Sequence, residues 1–402
     1  MAIRANLSQR ILLLGLLAGL LVTWKLWLTD RAFPHLTVWP WFGPLPAPWD
    51  SLLLGATLAS LIPAFVFPRR RLPLALLLGL CLWLALQDQV RWQPWFYFYW
   101  LALTGFLLFP ASSSQRGGGE AIVLLRLLLV AMYFWSGFHK LHPAYATLHQ
   151  TAFVEPLAAI WPDPSIRLLS ASDRFVPWIE ISVAFLLLQP IALLRVGGVG
   201  LAIATHAFIL LLVGPLGLSN NHVIWPWNLA LAALTPVAFW NLPGIPWPSL
   251  AAFPVRFASI PLALLVGVLP AFSPGHWDRY FSFHLYSGRD QRIMLVMDDA
   301  ALGSLPPAVR PFVRPAGDGH LHELRFKEWA FHELRAPLPC EERHLLRLAK
   351  QFATLPFPPH SLAFFYYDYE FELKTRGWDR FTPHQILHLN TLPDPTQPYP
   401  GN

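Results

Sequence analysis

The chain has 402 residues, 55% of them hydrophobic and 13% charged, with a mean hydropathy of +0.43. A soluble domain carries about 25% charged residues, so an ordinary soluble globule is excluded, as is disorder, which needs low hydrophobicity and high charge. Residues 1–272 hold 15 Lys and Arg against 8 Asp and Glu, while residues 273–402 hold 14 against 15. The basic excess therefore belongs to the apolar part, where arginines flanking membrane helices explain it better than nucleic acid does.

Crossing a hydrocarbon core of ~30 Å takes about 20 mostly apolar residues. The first such run is Ile11 to Trp24, after Arg4 and Arg10. It has no small-residue cleavage site before Pro34 and is expected to be a retained transmembrane helix rather than a signal peptide. Further spans are expected near 51–68, 72–88, 95–111, 120–138, 177–194, 199–214, 224–241 and 257–272. The fold class is thus an all-α polytopic membrane bundle of about nine transmembrane helices over residues 1–272. A small extracytoplasmic α+β domain with a loose tail follows over 273–402. Arg4, Arg10, the triplet Arg69–Arg71, Arg116, Arg195 and Arg256 fall on the N-terminal side and place it in the cytoplasm. The expected location is a bacterial inner (plasma) membrane, and the expected partners are the lipid bilayer and a lipophilic small molecule, with no nucleic acid.

Two segments between spans, 29–50, dense in Pro and Trp, and 139–176, which contains His, Pro, Asp and Trp, are long and read as irregular, the second as partly re-entrant. Non-helical backbone at membrane depth is tolerated only against protein or a wet cavity. Cys81 sits in an apolar run and Cys340 in the polar part, which leaves no disulfide framework and no cysteine-based zinc site.

The fifth span closes on Tyr133-Phe134-Trp135-Ser136-Gly137-Phe138-His139-Lys140-Leu141-His142-Pro143. Lys140 either snorkels to the headgroups or lies in an apolar site, able to act as a base. His139, His142 and His149 lack a carboxylate or cysteine at ligand spacing, so no metal is expected. Glu180, near the start of the sixth span, is either an interfacial carboxylate or a partner for Lys140, Arg167 or Arg174. His206 is central in its span, as a structural hydrogen-bonder or a proton-handling group. Asn220, Asn221 and His222, followed by Trp225 and Asn228, form a polar approach to the eighth span that either lines a cavity or anchors the helix. Lys140, Glu180 and the Asn220–Asn228 stretch all fall near the outer leaflet.

The stretch YFWSGFHKLHP resembles the vitamin K-dependent gamma-carboxylase superfamily, whose bacterial members are HTTM-domain proteins. Tyr133, Phe134, Ser136, Gly137, Lys140 and Leu141 match its pattern of an aromatic pair, a small pair with Gly, and Lys-Leu. The stretches HVIWPWN and Phe281-Ser282-Phe283-His284-Leu285-Tyr286-Ser287-Gly288 also resemble bacterial relatives. DoxX-like membrane proteins carry a comparable small-small-x-x-Lys-Leu helix end. His139 stands where the carboxylase has a second lysine, the C-terminal part is much shorter, and no counterpart of the propeptide-binding region is found. The resemblance implies a membrane enzyme, carboxylase-like or quinone-linked, with Lys140 as base. His139, His206 and Glu180 would assist it, and Tyr133, Asn221, His222, Trp225 and Asn228 would bind substrate. A quinone-like lipophilic cofactor is the group such a pocket would take. The alternatives are a non-catalytic DoxX-like or respiratory-chain-associated subunit and a transporter; the two halves show no inverted hydropathy repeat, which counts against the last.

In the C-terminal part, 291–298, 320–334 and 361–373 read as strands and Cys340–Thr354 as an amphipathic helix. His322-Glu323-Leu324-Arg325 recurs as His332-Glu333-Leu334-Arg335, without the second His of a zinc-protease helix.

Overall fold

A computed structural model describes all residues except 40, 110–114, 245–263, 274–276, 318, 340, 369–378 and 390–402. Eight apolar helices form the N-terminal bundle: α1 (Ala2–Val22), α2 (Trp49–Val66), α3 (Arg71–Leu86), α4 (Pro94–Leu108), α5 (Gln115–His139), α9 (Val176–Leu188), α10 (Ala192–Val213) and α11 (Ile224–Phe239). Four of them, α1, α2, α5 (over Gly119–His139) and α10, are long and apolar enough to cross a membrane, and the other four are shorter. The expected span at 257–272 lies outside the described residues up to 263, and Leu264–Phe272 form π and 3-10 turns.

Small residues set the packing. In α1, Gly15 and Gly19 form a GxxxG pair, a spacing that lets helices approach closely. A Cβ on Gly15 would lie 2.4 Å from the Tyr99 hydroxyl, and one on Gly19 2.4 Å from the Trp95 ring. The aromatic face of α4 thus lies directly on the α1 backbone. Gly198 brings α10 against Leu186 and Leu187 of α9 in the same way. On the other side α1 packs along α11. Arg4 donates to the carbonyls of Val237 and Trp240, and Arg195 to that of Leu242. Two arginines thereby satisfy carbonyls at the C-terminal end of α11, where the helix dipole favours positive charge.

Residues 139–176 are not irregular. They form α6 (Ala144–His149), a π turn (Gln150–Val154), α7 (Glu155–Leu157) and α8 (Asp163–Ala171). Pro143 does not stop the chain; it lies just before α6, where its missing N–H costs nothing.

The C-terminal part is a five-stranded antiparallel sheet in the order β2-β3-β1-β4-β5: β1 (Gln291–Met297), β2 (Val313–Ala316), β3 (Leu321–Leu324), β4 (Leu362–Asp368) and β5 (Asp379–Phe381). Helices α12 (Asp299–Ser304), α13 (Phe326–Leu334), α14 (Glu342–Ala353) and α15 (Pro383–His388) accompany it. Alternate residues Ile293, Leu295 and Met297 of β1 are buried, and α14, which packs against β1, buries Leu345, Leu348 and Phe352. Two of the three expected strands and the helix are present, with residues 369–373 of the expected third strand and Cys340 at the expected helix start lying outside the described residues. The strand expected over 320–334 ends at Leu324. From Phe326 the buried residues Phe326, Trp329, Ala330 and Leu334 follow helical spacing, so the alternation in LHEL does not extend into FKEW.

This domain sits on the 29–50 segment. Glu333 accepts from the backbone N–H groups of Ala32 (2.5 Å) and Phe33 (2.9 Å) and from the Trp329 indole. Arg347 donates to Val38 O and Gln351 to His35 O. The segment and the turn that leads into it are held by two buried groups. Arg91 donates to the carbonyls of Leu26, Trp27 and Leu84. Asp88 pairs with Arg31 and accepts from Leu36 N and Val90 N. Burial alone would raise the Asp88 pKa, but Arg31, His35 and Arg91 hold it below the usual carboxylate range.

Because the α1–α4 contact has no spare volume, Gly19→Ile is expected to cost about 1–3 kcal/mol by overpacking, read as a lowered thermal unfolding midpoint of the purified protein in detergent. A midpoint equal to that of the native chain would contradict the packing described.

Candidate functional site

The site begins with the closest approach between α5 and α9. A Cβ on Gly137 would lie 2.6 Å from the Pro177 carbonyl and 3.0 Å from the Glu180 Cβ. With the backbones this close, Lys140 and Glu180 meet. Lys140 Nζ lies 2.7 and 3.0 Å from the two Glu180 carboxylate oxygens and donates to Ser136 Oγ at 2.7 Å. Both residues are 6% exposed, so Lys140 does not snorkel to the headgroups. Glu180 takes Lys140, not Arg167 or Arg174, as its ion-pair partner.

Tyr133 and Ser136 sit at i and i+3 on one face of α5, and Lys140, the residue after its end, continues that face at i+7. That face borders a cavity of about 360 Å³ between α5, α9, α10 and α11, closed from above by Tyr145, His149, Leu285 and Tyr286. Its other walls are Ile179, Leu201, Phe208, Leu212 and similar apolar groups. Deeper in, the Tyr133 hydroxyl lies 2.6 Å from His206 Nε2, and His206 Nδ1 lies 2.8 Å from Asn228 Oδ1. The Asn228 amide nitrogen donates to Ile224 O, which leaves its Oδ1 to accept. His206 therefore carries a proton on Nδ1, and in a neutral imidazole its Nε2 accepts from Tyr133. Thr235 Oγ1, 3.3 Å from the Tyr133 hydroxyl, completes the chain.

His139 lies one residue from Lys140, about 100° around the helix, and so points elsewhere. It stacks on Trp135 and, at 3.6 Å between ring centres, on His284. The Nε2 atoms of both histidines are buried without a hydrogen-bond partner, while His284 Nδ1 meets Ser287 Oγ at 2.9 Å. Burial, then the nearby His139, Arg279, Arg289 and Lys140, pushes His284 well below the ordinary histidine range. Among the described residues no group of three or more His, Cys, Asp or Glu could hold a metal.

His284 borders a second, larger space of about 1130 Å³, a vestibule between the bundle and the C-terminal domain. Asn221 also lines it, donating to the Tyr286 hydroxyl at 2.7 Å. His222 and Trp225 border neither space: His222 packs on Trp225, whose indole donates to Val213 O. The sequence-derived candidates thus divide into Tyr133, Lys140, Glu180, His206 and Asn228 around one cavity, His139 and Asn221 toward the vestibule, and His222 and Trp225 apart from both. The wall residues Tyr145 and Tyr286 carry no local sequence signal that marks them as site residues, apart from the place of Tyr286 in the FSFHLYSG stretch.

Gly288 has φ +80°, and a Cβ there would lie 2.2 Å from Ala144 O, so the turn over 283–288 is clamped onto α6. At the vestibule wall, Arg343 bridges Asp278 and Glu341, and Glu341 also accepts from Arg279 N. Burial, then the adjacent Asp278 carboxylate, pushes Glu341 up to about 7, against the pull of Arg343. No family model matches the chain, and no curated protein or solved structure is detectably similar to it.

Removing one partner of a buried ion pair leaves the other charge stranded, at a cost of about 3–5 kcal/mol, whereas replacing both with apolar residues is often neutral. Lys140→Met is therefore expected to lower stability far more than the double variant Lys140→Met, Glu180→Met, as measured by thermal unfolding of all four combinations. Additive losses would show that the two residues do not interact.

Glu341 predicts a pH effect of definite sign. Its carboxyl holds a proton in the folded state up to about 7, against an unfolded value near 4.5. The folded state thus binds the extra proton between these values, and stability falls as pH rises through that window. Stability measured from pH 4.5 to 7.5 should decline less steeply in Glu341→Gln, and an unchanged slope would assign the effect elsewhere.

Proposed function

We propose that the protein is an integral membrane enzyme that takes a lipophilic molecule into the 360 Å³ cavity and uses Lys140 with Glu180 to move a proton on it. The observation that carries this reading is a desolvated ammonium–carboxylate pair at the wall of an otherwise apolar cavity. Such pockets, mostly apolar with a few convergent polar groups, are where small-molecule sites are found. Within the pair the proton can pass from Lys140 Nζ to a Glu180 oxygen without changing the net charge of the dry site. Lys140 is then a neutral amine able to take a proton from the bound molecule, while Glu180 holds the displaced proton until it returns. Ser136 fixes the amine, and the Tyr133–His206–Asn228 chain offers a fixed neutral polar contact deeper in. The role of Lys140 as base follows the carboxylase-like and HTTM resemblance.

A quinone-like group fits the apolar walls, and it would supply redox chemistry there when bound.

The topology that goes with this reading has nine crossings in the bacterial inner membrane, with the N-terminus cytoplasmic and the C-terminal domain outside. Parity supports it. The end of α11 lies beside Arg4, at the N-terminal end of α1, whereas the C-terminal domain rests on the 29–50 segment beyond the other end of α1. Arg4, Arg10 and Arg69–Arg71 lie on the side assigned to the cytoplasm.

One observation favours a non-catalytic module instead: Lys140 Nζ spends its donors on Ser136 Oγ and both Glu180 oxygens, as a purely structural clamp would. The two readings separate by experiment. The full chain is purified from its host membrane, the retained lipophilic molecule is identified by native mass spectrometry, and its chemical change is followed with time. Leu212→Trp, which fills the cavity, should abolish retention. Lys140→Arg, which keeps the charge but cannot serve as a base near neutral pH, should keep retention and lose the conversion. Unaltered retention in the filled variant would overturn the cavity as the binding site; conversion unaffected by Lys140→Arg would leave the pair a structural clamp.

A further inference from the structure

One wall of the vestibule is the turn over residues 277–284. Asp278 shapes it: the side chain accepts from Phe281 N at 2.8 Å and the carbonyl from Ser282 N at 3.0 Å, while Arg279 O accepts from His284 N at 3.0 Å. Three buried nitrogens of this turn, Trp277 Nε1, Arg279 Nη1 and His284 Nε2, belong to lining residues and have no partner. Arg279 is 6% exposed, and among the described residues its guanidinium makes no hydrogen bond and no ion pair. Buried polar groups are hydrogen-bonded with few exceptions, and a stranded charge costs more than a stranded neutral group. Arg279 is therefore the group on this wall with most to gain from a ligand.

The carboxylates of the vestibule are already engaged. Asp278 and Glu341 share Arg343, Asp290 holds Lys327, and Glu342 has a partner too. Asp290 and Glu341 feel the charge of Arg279 but form no ion pair with it. Arg347, half-buried on the same lining, donates through both terminal nitrogens to the Val38 carbonyl and meets no carboxylate among the described residues. The charge left uncommitted is thus positive, the more so because Glu341 holds its proton up to about 7. Three amide oxygens of the lining, Gln89 Oε1, Gln93 Oε1 and Asn221 Oδ1, also lack partners and call for hydroxyl hydrogens. A neutral polyol would serve these oxygens and leave Arg279 stranded. A phosphodiester that carries hydroxyls serves both sets, since its free oxygens match the fork of a guanidinium and its hydroxyls can donate to the amides. The vestibule shares Ile224, Trp227, Leu285 and Tyr286 with the intramembrane cavity, so a head held here borders the space that would take an apolar tail.

We propose that the vestibule holds the anionic, phosphate-bearing head of an amphiphile whose apolar tail lies in the intramembrane cavity, with Arg279 binding the phosphate. Trp277 and His284 flank it as neutral donors. The proposal rests on the reading above, that the intramembrane cavity binds a lipophilic molecule. It adds the charge and class of the head and makes Arg279 a specificity-determining residue, outside the proton-moving pair.

The test offers the purified full chain phosphatidylglycerol, monoglucosyl diacylglycerol with the same acyl chains, and free glycerol phosphate, each at equal concentration, with retention read by native mass spectrometry. Phosphatidylglycerol should be retained about tenfold better than either of the others. Arg279→Gln should bring it down to the level of the glucosyl lipid, whose own retention should not change and shows that the variant is folded. Arg279→Lys, which keeps the charge, should keep part of the preference. Equal retention of the two lipids by the native chain, or preference for the glucosyl lipid, would overturn the anionic head while leaving the cavity as a lipid site. A preference that survives Arg279→Gln intact would place the phosphate elsewhere and overturn the role of Arg279. Glycerol phosphate retained as well as the lipid would mark a site for free phosphate esters and overturn the amphiphile. Retention of phosphatidylglycerol undiminished by Leu212→Trp would place the tail elsewhere and overturn the shared site. No retention of either lipid would overturn both this proposal and the reading beneath it.

Discussion

A lysine and a glutamate taken out of water can coexist only if they touch, and the bundle is arranged so that they do. Isolated, either charge at membrane depth costs several kcal/mol. Together, with Ser136 as a third partner, they become tolerable. The contact depends on Gly137, because any side chain there would strike the Pro177 carbonyl and push α9 away. The α5–α9 pair in turn sets where α10 can pack through Gly198, and the gap left between these helices and α11 is the cavity. One ion pair and one missing side chain thereby fix the geometry of everything around the site.

Much of this was legible in the chain, for physical reasons. Apolar runs of helical length are hard to read as anything else, and the Tyr133, Ser136, Lys140 spacing announces a single face. Glu180 was a candidate partner because an acidic group in an apolar stretch needs one, but its choice among three cations depended on Gly137, a contact that only three dimensions reveal. The His206–Tyr133–Asn228 chain joins residues 73 and 22 positions apart, and nothing local specifies such a link.

Other features were illegible because local signals compete. Residues 320–334 begin with true alternation and then change period at Arg325, where a short strand gives way to α13. In 139–176 the prolines stand at helix starts, where they do no harm, so a composition that suggests irregular chain folds as short helices. Arg126, interior to α5 and 2% exposed, lay hidden inside an apolar run. Its guanidinium lies 4.8 Å from the Phe239 ring centre, a cation–π contact that offsets part of its desolvation and that sequence spacing does not disclose.

The clasp of Glu333 on Ala32 and Phe33 has a temporal side. Some 300 residues separate its two halves, so during synthesis the 29–50 segment is finished long before the surface that covers it exists. Through that interval the unsatisfied backbone groups of the loop depend on water or on a helper protein, and the Arg91 and Asp88 scaffold beneath must hold its shape unaided. Closure of so long a circuit late in biogenesis makes the seating of the C-terminal domain a natural checkpoint: a chain truncated before Glu333 would leave its bed bare and open to quality-control proteases.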